Sequence, residues 1–193
     1  MLHQLDETIE TFLRAAVPLP ARDIDVVFEA PDGEWAARVS RPTVNLYLWD
    51  VRLNLTERDF GEQLIEDDEG RRFRRDPLPR VDCRYLVTAW TSEVRDEHSL
   101  LGSVLGALLL HPVIEADHLQ GALATVRPLP SLRLRSGDGS ENSDFWSALG
   151  GQLKPGLDLV VTATVDAAAL VAAGPSVQGL EVSAVPTLGT PTA

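Results

Sequence analysis

Apolar residues recur at Leu2, Leu5, Ile9, Phe12 and Leu13, with Asp6, Glu7, Glu10 and Arg14 on the other side of the wheel. This helical spacing predicts an amphipathic helix over 1–16, stopped by Pro-Leu-Pro at 18–20. The stretch DVVFEAP, 25–31, reads as a short strand, and Pro31-Asp32-Gly33 as a turn. Residues 43–55, TVNLYLWDVRLNL, form a long strand whose apolar phase switches. Val44, Leu46 and Leu48 share the even face; Tyr47, Trp49, Val51, Leu53 and Leu55 take the odd face, while Asp50, Arg52 and Asn54 make the even face polar. Two causes fit the switch: a β-bulge, or a central stretch buried on both faces. A strand of this length reaches beyond one sheet layer, toward another element or another subunit.

Residues 60–76, FGEQLIEDDEGRRFRRD, carry an acidic run, Gly70, and Arg71, Arg72, Arg74 and Arg75. They predict a protruding hairpin turning near Glu69-Gly70. The favoured reading of its charges is a solvated face; the functional one is a charged contact loop. In VDCRYLVTAW, 81–90, Val81, Cys83, Tyr85, Val87 and Ala89 alternate with Asp82, Arg84 and Thr88, the pattern of a half-buried strand. A helix follows over 96–110, with an apolar face of Leu100, Leu101, Val104, Leu105, Leu108 and Leu109. Gly102 and Gly106 flatten one side of it for the close approach of a sheet or helix, and Pro112 stops it. Residues 122–129 and 131–135 read as strands around Pro130, 136–143 as a loop, 144–149 as a short helix and 157–165 as the last core strand. From Asp166 the composition shifts to Ala, Gly, Pro, Val and Thr; VQGLEVSAV, 177–185, has the pattern of one more strand, followed by a mobile end. The order predicts an α+β fold: a mostly antiparallel sheet with the N-terminal helix and a second amphipathic helix packed on it. Residues 1–165 form one domain and 166–193 a C-terminal extension.

Composition narrows the class. The 193-residue chain has 29 acidic and 17 basic side chains, a formal net charge of −12. Nucleic-acid binders neutralise phosphates with Lys and Arg, so DNA, RNA and anionic membranes are disfavoured as partners. Cys83 is the only cysteine, which excludes an intramolecular disulfide. The acidic N-terminal stretch lacks the form of a signal peptide, and Leu100–Leu110 is too short to span a bilayer at about 20 residues. A cytoplasmic location is the default expectation.

Catalytic chemistry is hard to find. His111, Glu115 and His118 have helix-like spacing, but Pro112 disfavours helix at His111, so a turn is preferred to a metal site. Cys83 falls on the apolar side of a strand, where a small buried hydrophobe is the usual occupant. No phosphate loop, dinucleotide fingerprint or nucleophile elbow occurs. In ENSDFWSALGGQLKPGLDLVVTATV, 141–165, the Gly150-Gly151 pair follows a helix and precedes a strand. A phosphate cradle needs the reverse order, so the pair reads as a helix-ending turn and Lys154 as a surface residue. No catalytic, cofactor or metal residues are assigned.

Four stretches in order, 41–59, 81–93, 97–114 and 144–165, resemble the cap, or tail-terminator, proteins of extracellular contractile injection systems, which are phage-tail-like particles. The resemblance covers about residues 1–165. It implies a structural protein without catalytic residues: a homo-hexameric ring that ends the inner tube and anchors the last sheath layer, with tube and sheath proteins as partners. It also implies an α+β fold. On that basis the strand with Tyr47, Trp49 and Arg52 and the hairpin with Arg71, Arg72, Arg74 and Arg75 are expected at interfaces. Leu180 and Val182 are expected on a tail strand that adds to a sheath sheet. The alternatives are a small-ligand-binding or enzymatic domain, or a monomeric protein-binding adaptor.

Overall fold

The computed structural model describes residues 1–57, 61–136, 146–147, 150, 153–167 and 169–173. Strand β5 (Arg80–Trp90) runs through the middle of a five-stranded sheet. It is flanked on both sides by antiparallel partners, β2 (Thr43–Leu53) and β7 (Gly156–Thr164). The edges are β1 (Asp25–Val27), parallel to β2, and β6 (Ser131–Leu134), antiparallel to β7. The parallel edge pair is the one departure from an otherwise antiparallel sheet.

The alternation of β5 places Cys83, Tyr85 and Val87 in one core with Val44, Leu46, Leu159 and Val161 from its neighbours. Two helices close that face. Helix α1 (Leu2–Ala16) contributes Leu5, Ile9, Phe12 and Leu13, the stripe its spacing predicts. Helix α3 (Val94–Leu110) contributes Val104, Ala107 and Leu108. Each such aliphatic side chain contributes roughly 1.5–3 kcal/mol when fully buried, so the sheet and both helices stabilise one another. Gly156 opens β7 where space is short: a Cβ there would lie 2.9 Å from Leu86 Cδ1 and 3.3 Å from the Val87 carbonyl oxygen.

Three local expectations differ from the structure. The turn expected at 31–33 begins helix α2 (Gly33–Arg38): Asp32 is its N-cap, and its carboxylate accepts the Trp35 N–H at 2.7 Å. Trp35 buries its ring edge-on against Trp90 at 5.1 Å, on the opposite side of the sheet from Ala89 and Val87. With Trp35 covering the Trp90 end and the Trp49 ring lying over Arg84, β5 is buried on both faces rather than half-buried, and Arg84, Leu86 and Thr88 are as inaccessible as core residues. Residues 122–129 are not a strand. A 3-10 turn (Gly121–Ala124) opens the segment, and Leu123 and Val126 dip separately into the interior to produce the apolar pattern.

The charged stretch forms the expected hairpin, β3 (Gln63–Glu66) and β4 (Arg72–Arg75), turning at Gly70 with φ +76°. A third strand, β8 (Val171–Ala172), pairs with β4, so the chain after 166 returns to the hairpin and completes a separate three-stranded sheet. Of the helix expected at 144–149, Trp146 and Ser147 are helical and the other four residues lie outside the described residues, as does the strand expected at 177–185. Among the described residues, no helix is long and apolar enough to cross a membrane.

Candidate assembly interface

Both explanations of the phase switch in β2 operate together. Thr43–Leu46 are buried on both faces, and the register with β5 shifts between Leu48 and Asp50. Leu48 pairs with Tyr85 and Asp50 with Arg84, so Trp49 is the extra residue of a bulge. The bulge returns Val51 and Leu53 to the side shared by Leu48, Cys83 and Val81. There the helical cover has ended. Val51 is 44% exposed, Leu53 65% and Leu55, just beyond, 70%. Three apolar side chains at the end of one strand thus stand in solvent, although their alternation is that of a buried face.

The other side of the bulge is polar and closely organised. The Arg84 guanidinium lies 4.0 Å over the Trp49 ring. It donates to Asp158 at 2.7 Å, while Arg135 approaches the same carboxylate at 3.6 Å and Asp50 lies 3.9 Å from Arg84. Arg52 is mostly exposed and pairs with Asp50 at 2.7 Å. Tyr47 lies two residues before Trp49 on this face and is partly buried. The sequence singled out Tyr47, Trp49 and Arg52 but not Arg84. Its signal was a charge inside a strand, and the partner that explains it is distant in sequence.

At the root of the hairpin, buried Arg80 donates to the Thr164 hydroxyl at 3.1 Å and to the carbonyls of Pro128 and Thr162, both at 3.3 Å. Its Nε faces Glu57 at 2.9 Å. Asn54 accepts from the N–H groups of Thr56 and Glu57 and donates to Asp82. These contacts fix the direction in which the chain leaves β2. Along the hairpin, Arg71 pairs with Asp67 and Glu69, Arg72 with Glu66, and Arg74 with Glu62, while Arg75 donates to Gln63. Three of the four arginines therefore meet carboxylates of their own hairpin, and Arg75 an amide oxygen. Leu64 and Val171, opposite Arg74 on its two sides, are exposed. Leu180 and Val182 lie outside the described residues.

Lys154 is not a free surface residue, as the sequence suggested. Its ammonium meets Glu97 of α3 at 2.5 Å and lies 4.2 Å over the Trp90 ring. Gly150 adopts φ +66°, the left-handed turn expected there. The turn and the ion pair line a cleft of about 530 Å³ with Pro31, His98 and Leu153. Cys83 is fully buried; desolvation, then Asp6 and Asp82, push its thiol up to about 12. His111 and His118 stack edge-on against Phe12 at 5.7 and 6.0 Å.

A family model described as the Pvc16 N-terminal domain matches residues 4–179. Among solved structures, the chain is similar to the PVC sheath/tube terminator of an extracellular contractile injection system in its extended state. Identity there is 20% and the TM-score 0.67, over 98% of this chain and 65% of that one. It is also similar to the tube-terminating cap of the anti-feeding prophage, at 18% identity and a TM-score of 0.60, over 97% of this chain and 60% of that one. At these identities the likeness shows a shared fold. The chain spans less than two thirds of the length of either terminator. No curated protein matches it.

Proposed function

The chain belongs to the Pvc16 N-terminal domain family, and from that premise we propose that it is a structural terminator of a contractile, phage-tail-like particle. Copies of it close into a ring, six in number by resemblance, that ends the inner tube and holds the last sheath layer. The observation that carries this reading is the fold shared with the sheath/tube terminator over 98% of the chain. The surface is consistent with it. Closed rings use heterologous contacts, two different patches on each copy, and the molecule offers two distinct exposed regions at the end of β2 and on the hairpin sheet. The role is mechanical rather than catalytic. Tyr47, Trp49 and Arg52 border the first of these regions, and Arg71, Arg72, Arg74 and Arg75 stiffen the second.

The test is electron microscopy of particles assembled without this protein. Tubes and sheaths of irregular length, or sheaths detached at one end, are expected. Normal particles of uniform length would remove the proposal.

A further inference from the structure

Strand β2 carries an apolar knob at one end and borders an apolar cleft at the other. The knob is Val51, Leu53 and Leu55, which stand in solvent where the strand finishes. The cleft lies at its start: Thr43 opens β2 and pairs with Trp90, whose ring forms part of the cleft wall, whereas Leu53 pairs with Val81. At about 3.3 Å per residue these two ends are roughly 33 Å apart, so no copy can fill its own cleft. Pro31, Ala36, Val94, Leu153 and Pro155 continue the wall, and Val94 and Leu153 are themselves largely exposed.

The cleft suits aliphatic side chains. Its volume is about 530 Å³, against roughly 150 Å³ for a cavity that holds one benzene-sized group, so two or three such side chains have room. The charged pair within it, Glu97 and Lys154, is already matched at 2.5 Å. An apolar group placed over that pair leaves neither charge without its partner, which avoids the main cost of covering a charged group. Charge favours the same match. Arg52, between Val51 and Leu53, is mostly exposed. Glu34, Glu93 and Asp96 are exposed on the elements that frame the cleft, against Arg95. Arg38, at the other end of α2, lines a separate depression with Asp25 and Glu29.

We propose that Leu53 and Leu55 of one copy seat in the Trp90 cleft of the next copy in the ring, with Arg52 facing the acidic rim. The occupant is a second copy of this chain. Knob and cleft are different patches at opposite ends of one strand, so each copy gives one and receives one, which is the requirement for a closed ring. Apolar burial provides the affinity, and the rim charges orient the approach. The inference rests on the ring reading above and names one of its contacts.

Chains carrying both Leu53→Cys and Leu153→Cys are assembled on tube protein under mild oxidation. A second chain, with Leu53→Cys and Val94→Cys, allows for contact with the other side of the cleft. Expected on non-reducing gels is a ladder of covalent oligomers, from the dimer up to the closed ring, absent from each single variant. Cys83 is fully buried and takes no part. In addition, Leu53→Asp, at an exposed position, keeps the denaturation midpoint of the wild type and abolishes ring formation, while Leu53→Met keeps both. Rings of both cysteine chains without a link between copies, or normal rings of Leu53→Asp, would each overturn the inference and leave the terminator reading standing. Absence of rings from the wild-type chain on tubes would remove both.

Discussion

The ammonium of Lys154 lies 2.5 Å from a carboxylate oxygen of Glu97, joining the turn before β7 to the first turn of α3 across 57 residues of sequence. Glu97 is well placed, since the N-terminal turn of a helix favours negative charge. Its side chain is only 8% exposed and that of Lys154 21%, with the Trp90 ring beneath the ammonium. Removing one member strands the other, which costs about 3 kcal/mol for a largely buried pair. Lys154→Met is therefore expected to lower the denaturation free energy by about that amount. The double variant Lys154→Met/Glu97→Leu recovers most of it, because no buried charge is left unpaired. Urea denaturation of the wild type, Lys154→Met, Glu97→Leu and the double variant measures the coupling.

Asp6 and Tyr85 predict a pH dependence. The Tyr85 hydroxyl donates to Asp6 at 2.7 Å. Burial holds the Asp6 carboxyl above its ordinary value, against the lowering effect of the Tyr85 bond. The Tyr85 phenol is raised too, by burial first and then by Asp6. A carboxyl whose folded pKa exceeds its unfolded value binds more protons in the folded state between the two. Its contribution to stability is thus fully present below the unfolded pKa near 3.8 and is lost as pH rises through the folded one. Asp6→Asn keeps an acceptor for Tyr85 and abolishes this contribution. Denaturation curves from pH 4 to 7 should show a smaller fall of stability with pH in the variant than in the wild type.

Cys83 provides a probe of opening. A buried thiol pushed up to about 12 holds almost no thiolate at neutral pH. Labelling with a disulfide reagent should therefore proceed only through unfolding, and its rate should rise with denaturant in parallel with the unfolding rate. Fast labelling of the folded chain would show that the sheet opens locally at β5.

The elements legible in the sequence were those whose own side chains decide their burial. Helix α1 follows from its helical spacing and strands β5 and β7 from alternation, and the bulge in β2 from the one place where alternation breaks. What escaped depends on partners far along the chain. Trp35 makes α2 a packed helix only because Trp90 lies across the sheet. Arg84 acquires its place from Asp158, 74 residues away. Lys154 looked unassigned because Glu97 is not near it in sequence. The apolar residues of 122–129 suggested a strand, but Leu123 and Val126, three apart, enter the interior as two separate insertions around a 3-10 turn.

Gly102 and Gly106 separate the needs of the single chain from those of the assembly. Their spacing suggested close approach by a neighbouring element, yet a Cβ at either would meet nothing within 4 Å. Within the chain, each glycine simply weakens α3 by about 1 kcal/mol relative to alanine. Gly102→Ala and Gly106→Ala should therefore each stabilise the isolated chain by about that much, raising Tm by roughly 2–4 °C. Gly156→Ala should do the opposite, losing about 1–3 kcal/mol against Leu86 and the Val87 carbonyl.

The hairpin arginines yield the last prediction. Arg71, Arg72 and Arg74 find carboxylates on their own hairpin at 2.7–3.5 Å. Exposed pairs of this kind contribute about 0.2–1 kcal/mol each and are screened by salt. If their task is to stiffen the hairpin, exchanging the members of a pair should preserve it. Arg74→Glu with Glu62→Arg should then assemble like the wild type, whereas Arg74→Glu alone places two carboxylates together and loosens the hairpin. If the arginines instead met acidic groups on the next copy, the exchange would fail as badly as the single reversal. Ring yield for the three chains, compared at low and high salt, decides between stiffening within the chain and charge pairing between copies.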